Sequence, residues 1–301
     1  MTGRKLFFAL SGAFLFLVIS LSLFFVYPRL NKERVLLERK KAQWSVLRQE
    51  ISSQARNFKG RSGIVVKDLK MNWEVSLNKE EVFVSASLVK IPIMAAVFGA
   101  AQSGKIKLES RIKLKSSDKV SGSGELKNMP AGRDFSIEEL VERMVISSDN
   151  TAANMLIELL GFGFLNNSFK EFGLKNTNLA RKMMEFGDRK NGVENYTTAE
   201  DTSYLLEKIY RNKLCNSFVS EKCLGLLKRQ KTRDRIPAQL PDDIIVAHKT
   251  GLEMKACHDA GIVFAPRGDF LICVLTKGVV NSRISKKFIS NIAFEVYNNY
   301  R

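Results

Sequence analysis

The chain reads as an α/β protein of the α+β kind, with an antiparallel sheet drawn from both chain ends and a helical domain inserted between them. Three observations predict this. Strand-like runs occur early, between residues 63 and 77, and return only late, between residues 244 and 276. The stretch between them carries apolar residues at helical spacing. Helical stripes flank the whole, one before the first strand and one after the last. With 301 residues, 45% apolar and 26% charged, the chain has the balance of a globular protein with a sizeable core.

Met1 to Lys5 is short and basic, and Leu6 to Tyr27 is a run of 22 residues without charge, long enough to cross a bilayer. It exits through Leu23-Phe24-Phe25-Val26-Tyr27-Pro28, which offers no small-residue cleavage site, and no cysteine stands there for lipid attachment. Residues 1–28 are therefore expected to be an uncleaved signal anchor, a transmembrane helix. Residues 29–59 should form an amphipathic helix leading into the main domain, with Leu37, Trp44, Leu47, Ile51, Ala55 and Phe58 on one stripe.

Residues 60–301 should form that domain, its sheet part about 60–89 and 210–301 and its helical part about 90–209. Gly60 and Gly63 punctuate the helix end. Gly63 to Leu69 and Trp73 to Leu77 read as two strands joined by a short turn. An apolar helix follows from Ser87 to about Phe98. Ile137 to Met144, Thr151 to Leu160 and Thr202 to Tyr210 are helical by spacing. Strands return at Ile244 to Thr250, Ala260 to Phe264 and Phe270 to Thr276, the last two joined across Pro266-Arg267-Gly268-Asp269. Ile284, Phe288, Ile292 and Val296 stripe a final helix. There is no internal repeat.

The net charge is +17, and residues 1–60 hold +8 of it. There is no recognised nucleic-acid motif and no basic run interleaved with aromatics, so no nucleic-acid partner is expected. The clustering suits attraction to anionic lipid headgroups or an acidic wall polymer. Six basic residues, Arg29, Lys32, Arg34, Arg39, Lys40 and Lys41, follow the apolar run, against Arg4 and Lys5 before it. By the positive-inside rule that count would hold the domain in the cytoplasm.

Three short motifs carry chemistry. Ser87 and Lys90 lie three apart at a helix start, on one face, so an amine stands near a hydroxyl where no histidine serves as base. Ser148-Asp149-Asn150 opens the run to Asn154, and Lys249-Thr250-Gly251 follows the apolar run Ile244 to Ala247. Ser-x-x-Lys, Ser-Asp-Asn and Lys-Thr-Gly, in this order and at these intervals, resemble the signature set of class A serine β-lactamases and penicillin-binding proteins. The resemblance covers about residues 31–301.

What the resemblance implies is an acyl-enzyme hydrolase acting on β-lactam amide bonds. Ser87 would attack the carbonyl and Lys90 would activate it. Ser148 would pass a proton to the departing nitrogen, and Asn150 would orient Lys90 and the substrate. Lys249 and Thr250 would bind the substrate carboxylate, and Gly251, lacking a side chain, would let substrate run along the strand. The backbone N–H groups of Ser87 and Leu252 would form an oxyanion hole, commonly worth ~3 kcal/mol per donor. The domain would lie outside the cytoplasm, in the periplasm or on the outer face of the cytoplasmic membrane. Here the family overrules the charge count.

One departure stands out. Class A enzymes carry Arg-x-Glu-x-x-x-Asn in a loop that places the deacylating water, and this chain has Arg181 to Gly187, with Met183 at the glutamate position and Gly187 at the asparagine. Met183 and Met184 read as core filler. Glu185 would take the role if the loop is reshaped; Asp188 and Glu194 are the next carboxylates. Two alternatives therefore share the acylation chemistry: a D-Ala-D-Ala peptidase of the penicillin-binding kind, and a sensor of β-lactams or peptidoglycan fragments that stays acylated. The partner is a β-lactam or a peptidoglycan stem peptide, and the protein is expected to be a monomer.

His248 and His258 read as packing residues, with no third ligand at metal spacing, so no metal or cofactor is expected. Asn154 is either structural or part of the site. Of Cys215, Cys223, Cys257 and Cys273, the first two are the best candidates for a bridge, but all four also suit reduced core positions.

Overall fold

The structure, a computed structural model, describes Thr2–Arg301, with all their side chains except those of residues 2–21, 23–28, 33, 188 and 190. The first element is the helix α1 (Thr2–Asn57). Residue contacts divide the chain into two units, Met1–Glu50 and Ile51–Arg301. In the first, the described side chains from Arg29 to Gln43 are almost all exposed, Leu30, Val35 and Leu36 included. The transmembrane expectation for Leu6 to Tyr27 falls outside the described side chains. Among the described residues no helix is long and apolar enough to cross a membrane.

The second unit opens on the last turns of α1. Ile51 is fully buried, and Phe58 stacks on Phe288 with ring centroids 4.3 Å apart. Then come β1 (Arg61–Asp68), β2 (Glu74–Leu77), β3 (Phe83–Val84), a 3-10 turn (Ala86–Val89) and α2 (Lys90–Gln102). The helical part holds the short strands β4 (Arg111–Lys113) and β5 (Asp134–Ser136), then α3 (Ile137–Ile146) and α4 (Asn150–Glu171). After a long loop follow β6 (Tyr196–Thr197), α5 (Ala199–Tyr210) and α6 (Ser217–Lys228). The chain closes with β7 (Ile245–Glu253), β8 (Ala256–Ala265), β9 (Gly268–Lys277) and α7 (Ser282–Asn298).

The main sheet has the order β2-β1-β9-β8-β7 and is antiparallel throughout. It is built from both chain ends, as the strand runs predicted. Both faces are covered, so β8 and β9 read as buried runs rather than as alternations. Leu271, Cys273 and Leu275 join the core shared with the helices, while Phe270, Ile272 and Val274 alternate to the other face and are equally buried. At ~25 cal/mol per Å² of apolar area, this two-sided burial is the main source of stability.

Several details depart from the sequence reading. Ser87 lies in the 3-10 turn, and α2 begins only at Lys90. Helix α4 runs past Leu160 to Glu171 because Gly161, at φ 78°, joins two helical segments at a kink. Helix α6 falls within the stretch assigned to the sheet part. The four cysteines are free thiols, with Cys215 exposed and the others buried, so Cys215 and Cys223 form no bridge.

Candidate active site

The turn that carries Ser87 is held by its surroundings rather than by its own propensity. Ala86 sits at φ 45°, a left-handed conformation that costs a residue with a Cβ about 1–3 kcal/mol. The turn is pinned from both sides: Ser85 N–H donates to Asn195 O (2.8 Å) and Leu88 N–H to Ser85 O (3.0 Å). In a 3-10 turn residues i and i+3 eclipse, so the Ser87 and Lys90 side chains leave on the same face. Ser87 is half-buried and lines a cavity of about 590 Å³, whereas Lys90 is wholly buried.

The three motifs converge on one hydroxyl. Lys90 Nζ donates to Ser148 O (2.6 Å), Asn150 Oδ1 (2.8 Å) and Ser148 Oγ (3.3 Å). Lys249 Nζ, from the edge strand β7, donates to the same Ser148 Oγ (2.9 Å) and to Thr250 O (2.9 Å). Ser148 is itself left-handed, at φ 57°. Asp149 caps α4 by accepting from Ala152 N–H (3.0 Å) and, with its other oxygen, from Glu125 N–H (2.8 Å) and Leu126 N–H (2.9 Å). Asn150 Nδ2 reaches Ser121 O (3.1 Å), so the Ser-Asp-Asn motif also fixes the 121–126 loop over the cavity.

Burial pushes Lys90 well below the usual lysine range, and the charge of Lys249 adds to this against the pull of Asp149. Lys249 is pushed down to about 7, again chiefly by burial; Asp259 opposes the shift and Arg235 reinforces it. Two buried amines crowd one hydroxyl, which favours a neutral amine able to take a proton.

Gly251 also has a packing role. A Cβ there would meet His258 (3.2 Å) and the Ala86 Cβ (3.3 Å), so its missing side chain lets β7 approach the nucleophile turn. Leu252 is half-exposed and lines the cavity with Ser87, and Thr250 is buried beside Lys249. The histidines are packing residues, as expected. His248 Nδ1 lies 2.9 Å from Asp259, and His258 Nε2 donates to Val84 O (2.8 Å) while its Nδ1 accepts from Thr276 N–H (3.1 Å).

The loop after Leu174 is where the site departs most from expectation. Met183 is buried and lines the cavity, and Asn154 grips its backbone, which gives Asn154 the structural role. Met184, read as core filler, is instead half-exposed at φ 69° on the cavity wall. Glu185 is exposed and does not line the cavity, so the structure does not bring it to Ser87. Asp188 lies outside the described side chains. Glu194 is buried and pairs with Arg181 (2.7 Å) and Arg189, and both arginines also pair with Glu253 at the end of β7. Asn195, which the sequence reading missed, accepts from Ala180 N–H (2.7 Å) and Arg181 N–H (3.0 Å) while its own carbonyl holds Ser85. Nothing in its local sequence distinguishes it from an ordinary turn asparagine.

The sequence profile of the β-lactamase enzyme family matches residues 46–300. The chain belongs to that family. The resemblance to class A serine β-lactamases is thereby borne out, with VEB-1 of Pseudomonas aeruginosa 27% identical over 94% of this chain and 97% of that protein. Among solved structures, a β-lactamase from Sphaerobacter thermophilus DSM 20745 superposes with a TM-score of 0.78 at 27% identity, covering 84% of this chain and 96% of that one. PBP-A gives the same score and identity over 84% and 94%, and has also been solved in a leucine-to-glutamate variant as an acyl-enzyme with penicillin G. Like other family members, the chain is a serine β-lactamase-like hydrolase.

Proposed function

We propose that Ser87 opens β-lactam amide bonds through an acyl-enzyme whose hydrolysis is the slow step. Lys90, whose pKa burial lowers, takes the Ser87 proton as the Oγ–carbon bond forms. The carbon–nitrogen bond then breaks, and Ser148 delivers a proton to the leaving nitrogen and is resupplied from the lysines that flank it. The Lys249 ammonium and Thr250 hold the substrate carboxylate, and the Ser87 and Leu252 amides receive the oxyanion. The observation that carries this reading is the convergence of Lys90 and Lys249, from two separate elements, on Ser148 Oγ beside a cavity that contains Ser87.

The slow step follows from the lining. Water attacks an ester efficiently only when a positioned base takes its proton, typically worth ~10²–10⁴-fold. Among the described side chains, Glu253 is the one carboxylate that lines the cavity, and two arginines hold it. This favours slow hydrolysis, and it keeps the penicillin-binding reading as the second choice, since PBP-A is a neighbour of that kind. Intact-mass measurement after mixing with a reactive penicillin tests the assignment: the protein should gain the mass of one penicillin, and Ser87→Ala should gain none. An adduct that persists in Ser87→Ala would sink it.

The charge-free run from Leu6 to Tyr27 and the substrate's extracytoplasmic home support a membrane-anchored enzyme facing outward, against the basic residues that follow the run. Protease added to intact spheroplasts should then digest the domain while a cytoplasmic control survives; protection of both would place it inside.

A further inference from the structure

The cavity that begins at Ser87 ends against Met183, Met184, Phe186, Leu252 and Met254. Its volume, about 590 Å³, is within the ~300–1,000 Å³ typical of sites that enclose a whole drug-sized ligand. Among the described side chains, the charged groups at this end are already committed to one another. Arg181 and Arg189 pair with Glu194 and Glu253, two cations with two anions, and both guanidinium groups lie over the Phe186 ring at 4.7 and 5.1 Å. A further anion placed here would face Glu253 and lose water without gaining a partner among the described side chains; a further cation would face the arginines. An aryl or alkyl group would lose nothing. The methionines, unbranched and polarizable, adapt to its shape, and Met254, 76% exposed at the rim, is free to fold over it.

We infer that this wall selects acyl donors whose side chain is bulky, apolar and uncharged. The inference rests on acylation of Ser87 and adds the substrate class to it. Binding energy from a remote substituent appears in the acylation rate, and one apolar group is commonly worth ~10–200-fold.

The test compares three compounds with one nucleus: benzylpenicillin, carbenicillin (the same side chain with an added carboxylate) and 6-aminopenicillanic acid (no side chain). Each second-order acylation rate is divided by the compound's rate of alkaline hydrolysis to remove intrinsic reactivity. Benzylpenicillin should lead each of the others by at least about tenfold. In Met254→Glu and in Phe186→Ala, its lead over 6-aminopenicillanic acid should fall to within about threefold. Equal rates for the three, or a faster carbenicillin, would overturn the substrate class while leaving Ser87 acylation intact. A lead that survives both substitutions would remove these residues from the role. Failure of all three compounds to acylate would overturn the parent reading as well.

Discussion

Asn154 holds the backbone of Met183 at both ends: its Oδ1 accepts from the Met183 N–H at 2.7 Å, and its Nδ2 donates to the Met183 carbonyl at 3.0 Å. The residue thereby held is the one that the family resemblance sets at the position of the water-activating glutamate. Met183→Glu should shorten the acyl-enzyme lifetime by ~10²-fold or more while changing the acylation rate little. Stopped-flow acylation followed by timed mass spectrometry measures both. Met183→Ala, which supplies no base, should leave the lifetime near wild type. If Ala and Glu shorten it equally, the methionine acts by excluding water and not by displacing a base.

The two buried lysines give a pH dependence with a defined sign. In the unfolded chain Lys249 titrates near 10.5, and in the folded protein near 7, so between those values the unfolded state binds more protons. Unfolding free energy should therefore rise with pH from about 7 to about 10.5, and Lys249→Met should flatten the slope. Acylation by an anionic β-lactam should decline above about pH 7 in the free enzyme as Lys249 loses its charge. Lys249→Arg, permanently charged, should move that limb upward. Denaturant melts and acylation rates from about pH 6 to about pH 10 test both statements; a falling stability across the window would contradict the first.

His258 links the nucleophile turn to the sheet, through Val84 O on one side and Thr276 N–H on the other. Burial pushes its pKa down to about 4, with Arg235 adding to the shift and its hydrogen bonds to Val84 and Cys257 opposing it. The stability it contributes is present above its ordinary value near 6.5 and is lost as pH falls towards about 4. His258→Ala should cost about 1–3 kcal/mol by orphaning two buried backbone groups. It should also slow acylation, because Ala86 keeps its left-handed conformation only while the turn is held. Urea melts at about pH 7 and about pH 4.5 check this: a pH dependence unchanged by the substitution would remove His258 as its source.

The fold was legible where hydrophobic runs were long. Ile64 to Val66, Ile262 to Phe264 and Phe270 to Leu275 announce buried strands, and Phe288, Ile292 and Val296 announce the closing helix. The site was legible through its motifs, because Ser87, Lys90, Ser148, Asn150 and Lys249 each sit at a fixed offset from an element boundary. What stayed hidden depends on pairings across the chain. Arg181 meets Glu253 over an interval of 72 residues, and Asn195 meets Ser85 over one longer still. No local pattern encodes either contact. Glu185 misled because proximity in sequence says nothing of direction: the loop turns its side chain to solvent.

On the proposed mechanism Ser87 acylates readily and the ester then waits for water. Mixing the protein with a chromogenic cephalosporin in slight excess tests it most directly. A burst of one equivalent of opened lactam should come first, then a slow steady phase, with the adduct on Ser87 persisting throughout. Linear turnover from the first seconds, with no burst and no adduct, would contradict it.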